Sequence, residues 1–203
     1  MNLKKYYNQQ GLSIKKIGKI DIIRYKMLSK EIKPNSSVLD IGARNGELIN
    51  FLPKDCKYTA TDISETRVKR LKKMGIESYC FDICEELPND LENKFDYVVL
   101  GEVIEHLPNP FNALKNINKV LKKGGFIIGT TPNLYSLTRI LYRLFGGGPE
   151  KNNYEHIIAF DVLELRNMFL ISGFKPIIIK RTKFMYIFDS FFGWFIFFKA
   201  QKI

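Results

Sequence analysis

The sequence predicts an α/β fold: one doubly wound domain built on a mostly parallel seven-stranded sheet with an antiparallel hairpin at one edge. Three observations lead to this prediction. Short β-type runs alternate with helical segments through the first two thirds of the chain, a glycine-bearing turn follows the first run, and two strand-like runs come late in the sequence. With 203 residues, 45% of them hydrophobic and 26% charged, the chain suits one domain with a sizeable core.

The elements of the alternating part follow from local patterns. Apolar residues recur at near-helical spacing over Ile14–Ile32, and this first helix ends before Pro34. The strands that follow are predicted at Ser37–Ile41, Lys57–Thr61, Glu77–Phe81, Phe95–Leu100 and Gly125–Thr130. The helices between them are predicted at Glu47–Leu52, Ser64–Met74 and Asn112–Leu121.

The last third of the chain changes character. An amphipathic helix is predicted at Leu134–Phe145, a glycine break follows it, and a second helix is predicted at Asp161–Ser172. Two final strands, Lys175–Lys180 and Trp194–Lys199, are expected to pair antiparallel at the sheet edge. Residues 1–33 are predicted to be a helical extension or lid, and residues 34–203 the main domain, with a lid insertion around 133–160.

The amino-acid composition does not identify a binding partner. The net charge of +11 and the pI near 9.5 suit nucleic acid, an acidic lipid surface or an anionic substrate, but the excess is mostly lysine and equally fits a general compositional bias. Cys56, Cys80 and Cys84 form no CxxC pair and are expected to be reduced thiols. Since the sequence contains neither a leader-like segment nor an apolar run of bilayer length, the expected location is the cytoplasm.

A strand that runs into a glycine-bearing turn and then a helix, Val38–Gly46, is the first sign of a ligand site. Asp40, Gly42, Ala43 and Gly46 shape this loop, where the backbone can come close to a ligand and the helix start offers free amide donors. Alone, this stretch indicates only that something is bound at a strand-to-helix turn.

Acidic residues at the next two strand ends extend the site. Asp62 stands 22 residues beyond Asp40, at the spacing of a side chain that accepts hydrogen bonds from ribose hydroxyls. Asp82 follows the third strand, where a carboxylate can accept from an adenine amino group while Ile63 and Ile83 flank the ring. Singly, each aspartate is as readily a helix cap or a turn residue. In this order, together, they favour an adenosine ligand.

From about Val38 to Phe174 the chain resembles the class I methyltransferases that use S-adenosylmethionine. Beyond the loop and the two aspartates, the resemblance rests on Phe95–Leu100 followed by Gly101–Leu107, and then on Leu121–Gly125. It implies a Rossmann-like fold and S-adenosylmethionine as the cofactor. It also implies that the cofactor is bound by Asp40, Gly42, Ala43, Gly46, Asp62, Ile63, Asp82, Ile83 and Gly101.

Arg44 departs from the family pattern, which often has a second loop glycine there. A dehydrogenase needs that glycine beside a pyrophosphate, whereas S-adenosylmethionine has no phosphate. Arg44 therefore counts against a nicotinamide cofactor more than against S-adenosylmethionine, and it leaves the loop geometry open.

Glu102, Glu105 and His106, just past the fourth strand, resemble the Glu-x-x-Glu-His motif of ubiquinone-pathway O-methyltransferases and of small-RNA 3′-terminal 2′-O-methyltransferases. The resemblance implies His106 and Glu102 as catalytic residues facing the acceptor. It further implies a magnesium or manganese site made of Glu102, Glu105, His106 and His156. The alternative is that His106 caps a loop or acts as a base without a metal.

The leading hypothesis is an S-adenosylmethionine-dependent methyltransferase whose acceptor is a hydroxyl of a small molecule or lipid precursor. The alternatives are a metal-dependent RNA 2′-O-methyltransferase and a non-catalytic S-adenosylmethionine-binding protein. The apolar stripe of Leu134–Phe145 either packs on the domain or contacts a lipid-like acceptor or, peripherally, a membrane surface. Tyr6 and Tyr7 either close over the cofactor or are exposed aromatic residues before a helix.

Overall fold

Seven strands form a single sheet in the computed structural model, which describes residues 3–13, 17–85, 87–133, 136, 140–141, 144–145, 156–182 and 195–203. The strands are β1 (Ser37–Ile41), β2 (Lys57–Asp62), β3 (Glu77–Cys80), β4 (Phe95–Gly101), β5 (Leu121–Pro132), β6 (Phe174–Arg181) and β7 (Phe195–Lys202). Their order is β3-β2-β1-β4-β5-β7-β6. Strands β1 to β5 pair in parallel, and β7 runs antiparallel to both β5 and β6. The predicted fold class is confirmed, including the antiparallel pair at the edge.

Five α-helices that accompany the sheet have both ends within the described residues. They are α1 (Leu3–Gln10), α2 (Lys19–Ser29), α3 (Glu65–Lys73), α4 (Pro110–Val120) and α5 (Val162–Ile171). Short 3-10 helices span Glu47–Phe51, Asn89–Leu91 and Ile104–His106. Among the described residues, no helix is long and apolar enough to cross a bilayer.

Two predicted helices differ from the structure. Within the predicted helix Ile14–Ile32, residues 17–32 are described, and regular α-helix among them is limited to α2. This helix begins after Gly18, whose backbone N–H donates to the Asp21 carboxylate. The predicted helix Glu47–Leu52 is instead a 3-10 segment, Glu47–Phe51. It ends before Leu52 because Leu52 precedes a proline and takes an extended conformation. Most of the predicted helix Leu134–Phe145 lies outside the described residues, as does much of the predicted lid around 133–160.

Helices α3, α4 and α5 keep their predicted positions within two residues because caps mark their ends. Ser64 and Asn109 accept hydrogen bonds from the backbone N–H groups of Arg67 and Asn112, which satisfies donors at the starts of α3 and α4. Asp161 forms a capping box with Glu164 at the start of α5. The sequence carries these caps within a few residues, so the helix starts are local information.

Both faces of the sheet are buried. Leu39 and Val98 face a cluster that includes residues of α4 and α5, whereas Val38 and Val99 face the other cluster, which includes Leu28 of α2. Adjacent residues of one strand thus enter opposite cores, as the two-residue period of a strand requires. This arrangement leaves the carboxyl ends of β1 to β4 as the edge where loops and ligands can meet.

Candidate active site

A cavity of about 530 Å³ opens at the carboxyl ends of β1 to β4. Its lining combines the residues that follow these four strands with residues of the N-terminal helices. The predicted cofactor residues that line it are Gly42, Asp62, Ile63, Asp82, Ile83 and Gly101, and the predicted catalytic residues Glu102 and His106 line it as well. Asp40, Ala43 and Gly46 are buried and do not line the cavity.

The first loop, residues 42–46 after β1, turns sharply because three of its residues have left-handed backbone angles. These are Gly42, Arg44 and Gly46, with φ of 70°, 54° and 76°. A β-carbon on Gly42 would lie 2.7 Å from Cγ2 of Val103, so the close approach of the two loops requires glycine there. Arg44 adopts the left-handed conformation that a glycine would take without strain. The loop geometry that the sequence left open is therefore that of a glycine loop.

Asp40 lies on β1, two residues before the first glycine of this loop. It is almost fully buried and accepts a hydrogen bond of 2.7 Å from the Tyr58 hydroxyl. Burial raises the pKa of the Asp40 carboxyl to about 7, against the lowering effect of the Tyr58 hydrogen bond. Asp40 therefore lies outside the cavity lining.

Asp62 lies at the end of β2 with its carboxylate at the cavity wall. Its oxygens accept hydrogen bonds from the backbone N–H groups of Arg44, at 3.1 Å, and Ser64, at 2.9 Å. The Arg67 guanidinium lies 3.4 Å away. These contacts hold a negative charge where a ligand hydroxyl can donate to it, between the first loop and α3.

Asp82 is fixed by the loop that follows β3. Its Oδ1 accepts a hydrogen bond of 2.8 Å from the backbone N–H of Cys84. The buried amide of Asn116 on α4 donates to the carbonyl oxygens of Ile83, at 2.8 Å, and Glu85, at 2.6 Å. Asn116 therefore positions Asp82 and Ile83, a role that the sequence did not reveal because Asn116 belongs to a distant helix.

Glu102 and His106 lie at the end of β4. Glu102 has a left-handed backbone with φ of 59°, and its N–H donates to the carbonyl oxygen of Thr130 at 3.0 Å. The 3-10 turn Ile104–His106 then brings the half-buried His106 ring to the cavity wall. An acid and an imidazole thus stand together beside the sheet end, as the sequence predicted.

Glu105 turns away from the cavity, and its side chain is buried. Its Oε2 accepts a hydrogen bond of 3.1 Å from the Thr131 hydroxyl, and its Oε1 lies 3.8 Å from Nε2 of His106. Burial, reinforced by the nearby charge of Glu102, raises the pKa of Glu105 well above its usual range. Its backbone oxygen accepts from the N–H groups of Ile157 and Ile158, which brings the following segment against it.

Three of the four predicted metal ligands come together. Potential ligand atoms of Glu105, His106 and His156 lie within 4.8 Å of one another, and the two imidazole centroids are 4.9 Å apart. Glu102 is not part of this group. A carboxylate and two imidazoles suit a divalent transition ion, and Glu105 Oε1 is buried without a hydrogen-bond partner among the described residues. The three residues therefore fit a cation in their chemistry.

The N-terminal helices form another part of the cavity wall. Leu3, Tyr7 and Gln10 of α1 line it, and the Arg67 guanidinium lies 5.7 Å from the centroid of the Tyr7 ring. The Arg70 guanidinium donates to the carbonyl oxygen of Gly11 at 2.7 Å, which holds the end of α1 to α3. Tyr7 thus lines the cavity while Tyr6 does not, and the lid role of residues 1–33 stays a prediction.

The chain matches a family model described as a methyltransferase domain over residues 20–178. An uncharacterized protein of Methanocaldococcus jannaschii is 31% identical over 156 residues, which are 74% of this chain and 60% of that protein. The ubiquinone biosynthesis O-methyltransferase of Coxiella burnetii is 30% identical over 149 residues, which are 70% of this chain and 62% of that protein. The matched part therefore spans about 60% of the length of these two relatives.

A SAM-dependent methyltransferase of Thermotoga maritima has a similar crystal structure. The TM-score is 0.69 at 21% sequence identity, and the match covers 90% of this chain and 89% of that chain. At this identity the likeness shows a shared fold. The structural match covers 90% of this chain, so the shared fold is not limited to the first loop and the strands beside it.

Proposed function

The chain belongs to the methyltransferase domain family, and from this premise we propose that it transfers a methyl group from S-adenosylmethionine to a hydroxyl of a small molecule or lipid precursor. The observation that carries the proposal is the order of groups along one cavity. Asp82 and Asp62 stand at the ends of β3 and β2, and Glu102 and His106 follow β4. An adenosine at one end would leave the sulfonium near the acid and the imidazole.

Two carboxylates held in place by hydrogen bonds support the proposal that one end of the cavity binds adenosine. Asp62 can accept hydrogen bonds from ribose hydroxyls, and Asp82 can accept one from the adenine amino group, with Ile63 and Ile83 beside the ring. Both aspartates are oriented by backbone N–H donors before a ligand binds, so little ordering is needed on binding.

The acceptor end is supported by His106. Methyl transfer from a sulfonium requires mainly that the acceptor be held in line with the methyl group. A neutral hydroxyl also has to lose a proton, and the imidazole of His106 at the cavity wall is a suitable base. The ubiquinone-pathway relative, an O-methyltransferase by name, supports a hydroxyl acceptor.

Replacement of Asp62 tests the cofactor assignment. We expect calorimetry to detect binding of S-adenosylhomocysteine, and Asp62→Asn and Asp62→Ala to weaken it at least about ten-fold, because hydrogen bonds to a charged group contribute about 1.5–3 kcal/mol. Asp55→Ala is the matched control, since Asp55 is exposed and outside the cavity lining. Binding of NADH without binding of S-adenosylhomocysteine would contradict the proposal.

The group Glu105, His106 and His156 favours a second candidate function, a metal-dependent RNA 2′-O-methyltransferase. These three residues would hold a magnesium or manganese ion, which when bound lowers the pKa of a coordinated hydroxyl. The net charge of +11 suits a polyanionic acceptor.

Manganese binding separates the two candidates. If the metal-dependent function is correct, electron paramagnetic resonance should detect one bound Mn²⁺ in the wild type, and His156→Ala should weaken its binding at least about ten-fold. Transfer to the 3′-terminal ribose of a short RNA should then require the ion. Absence of Mn²⁺ binding, together with transfer to a phenolic hydroxyl in the presence of a chelator, would support the first candidate instead.

A further inference from the structure

Helix α1 forms part of the cavity wall although none of its residues is buried. Leu3, Tyr7 and Gln10 line the cavity, and all eight residues of α1 are half-buried or exposed. A helix of this length has little stability of its own in water. The position of α1 beside the cavity therefore depends on how it is attached to the rest of the chain.

Two contacts with the start of α3 attach α1 close to Asp62. The Lys4 ammonium lies 2.8 Å from the Glu65 carboxylate, and both side chains are about half exposed, so this ion pair contributes little. The Arg67 guanidinium lies 5.7 Å from the centroid of the Tyr7 ring and 3.4 Å from Oδ2 of Asp62. Arg67 therefore connects α1 to the carboxylate that we assign to the ribose.

The stronger attachment lies just beyond the end of α1, at Gly11. The Arg70 guanidinium donates one hydrogen bond of 2.7 Å to the carbonyl oxygen of Gly11 and another of 2.7 Å to Oδ1 of Asn45 in the first loop. A β-carbon on Gly11 would lie 2.8 Å from Oγ of Ser64, so the chain passes the start of α3 with no room for a side chain. Gly11 and Arg70 thus hold the end of α1 from outside the cavity lining.

We propose that residues 3–11 are a strap that separates from α3 to admit S-adenosylmethionine and closes again beside its adenosine, an inference that rests on the proposed function. A segment held mainly by exposed contacts opens at a lower free-energy cost than the core. Bound adenosine would add contacts with the side chains of α1 that line the cavity, so binding favours the closed position. The strap therefore controls how fast the cofactor is released, while Asp62 and Asp82 recognise it.

Amide hydrogen exchange of residues 3–11 tests whether the cofactor closes the strap. Saturation with S-adenosylhomocysteine should slow exchange in this segment at least about five-fold in the wild type. In Gly11→Val, whose larger side chain cannot remain against Ser64, this slowing should be lost. Exchange that is unchanged in the saturated wild type would overturn the inference. A wild type that does not bind S-adenosylhomocysteine would instead contradict the proposed function itself.

Variants that loosen the strap test its control of cofactor release. In stopped-flow displacement of S-adenosylhomocysteine, Arg70→Met and Gly11→Val should each raise the dissociation rate constant at least about five-fold without lowering the association rate constant. Arg70→Lys keeps a donor and should raise it less. Lys72→Met is the matched control, because Lys72 is an exposed basic residue of α3 outside the cavity lining, and its rate constants should equal those of the wild type.

A charge exchange tests the contribution of the exposed ion pair. Lys4→Glu should raise the dissociation rate constant about two-fold, and its combination with Glu65→Lys should restore most of the wild-type value. A lower association rate constant with an unchanged dissociation rate constant in Arg70→Met and Gly11→Val would overturn the inference, because these residues would then shape the site without holding a strap. If either variant does not fold, Arg70→Lys and Gly11→Ala decide the matter by the same two rate constants.

Discussion

Asp40 combines two properties within one side chain. It lies on β1 directly before the first loop and accepts a hydrogen bond from Tyr58, and burial raises its pKa to about 7. A carboxyl with a raised pKa holds its proton more tightly in the folded chain than in the unfolded one. Its influence on stability therefore depends on pH within a range that is easily reached in solution.

The free energy of unfolding contributed by Asp40 decreases as pH rises. Between the ordinary pKa of 3.8 and about 7, the folded chain keeps a proton on Asp40 that the unfolded chain has lost. The stabilisation that this proton provides therefore decreases as pH rises through this range, and above about pH 7 it no longer changes. We expect the free energy of unfolding of Asp40→Asn, relative to wild type, to increase by about 2–3 kcal/mol from pH 5 to pH 8, measured by urea unfolding.

The exposed Asp55→Asn serves as the control for this pH series, and its difference from wild type should not change with pH. A difference between Asp40→Asn and wild type that is the same at pH 5 and pH 8 would show that Asp40 is charged across the whole range in the folded protein.

At the scale of elements, Gly129 of β5 pairs with Phe198 of β7 and has no room for a side chain. A β-carbon there would lie 2.3 Å from Cζ of Phe198 on β7 and 2.4 Å from the carbonyl oxygen of Leu100 on β4. Both distances are far shorter than a van der Waals contact, and the Leu100 oxygen belongs to the backbone and cannot rotate away as a side chain could. Glycine is needed at this point because the Phe198 ring crosses the strand where a side chain would otherwise stand.

Gly129→Ala should therefore lower the free energy of unfolding by about 3 kcal/mol, the cost of overpacking a tight core. Chemical denaturation measures it. Gly18→Ala is the control, because its new β-carbon would have only Oδ2 of Asp21 nearby, at 3.6 Å, and it should cost less than about 1 kcal/mol. If both variants lower the free energy of unfolding equally, the Phe198 ring can move aside without loss of stability.

At the scale of the whole molecule, the parts predicted from sequence are those encoded by neighbouring residues. Strand and helix alternation, the glycine loop and the cap of α3 at Ser64 all lie within short windows of the chain. The gathering of Asp62 and Asp82 at one edge follows from parallel pairing alone, since the carboxyl ends of parallel strands meet. These features needed no knowledge of tertiary packing.

The parts that sequence did not reveal depend on contacts between distant segments. Asn116 supports the loop after β3 from a helix more than 30 residues away, and Arg24 reaches the cavity only because α2 packs beside β4. The division between Glu102 and Glu105 is of the same kind. Their spacing suggested one ligand set, but a left-handed Glu102 and a 3-10 turn direct the two carboxylates to different places.

The position of β7 between β5 and β6 has a consequence for how the protein is made. A ribosome delivers the chain from its amino end, so β1 to β5 can pair as soon as they emerge. In the sheet as described, β6 pairs with β7 alone, and β7 is Phe195–Lys202. Until those residues appear, β6 is an unpaired strand whose open edge can be captured by a neighbouring nascent chain. Formation of β7 therefore covers the facing edges of β5 and β6 in one step, and in the described sheet it leaves only the outer edge of β6 open on that side.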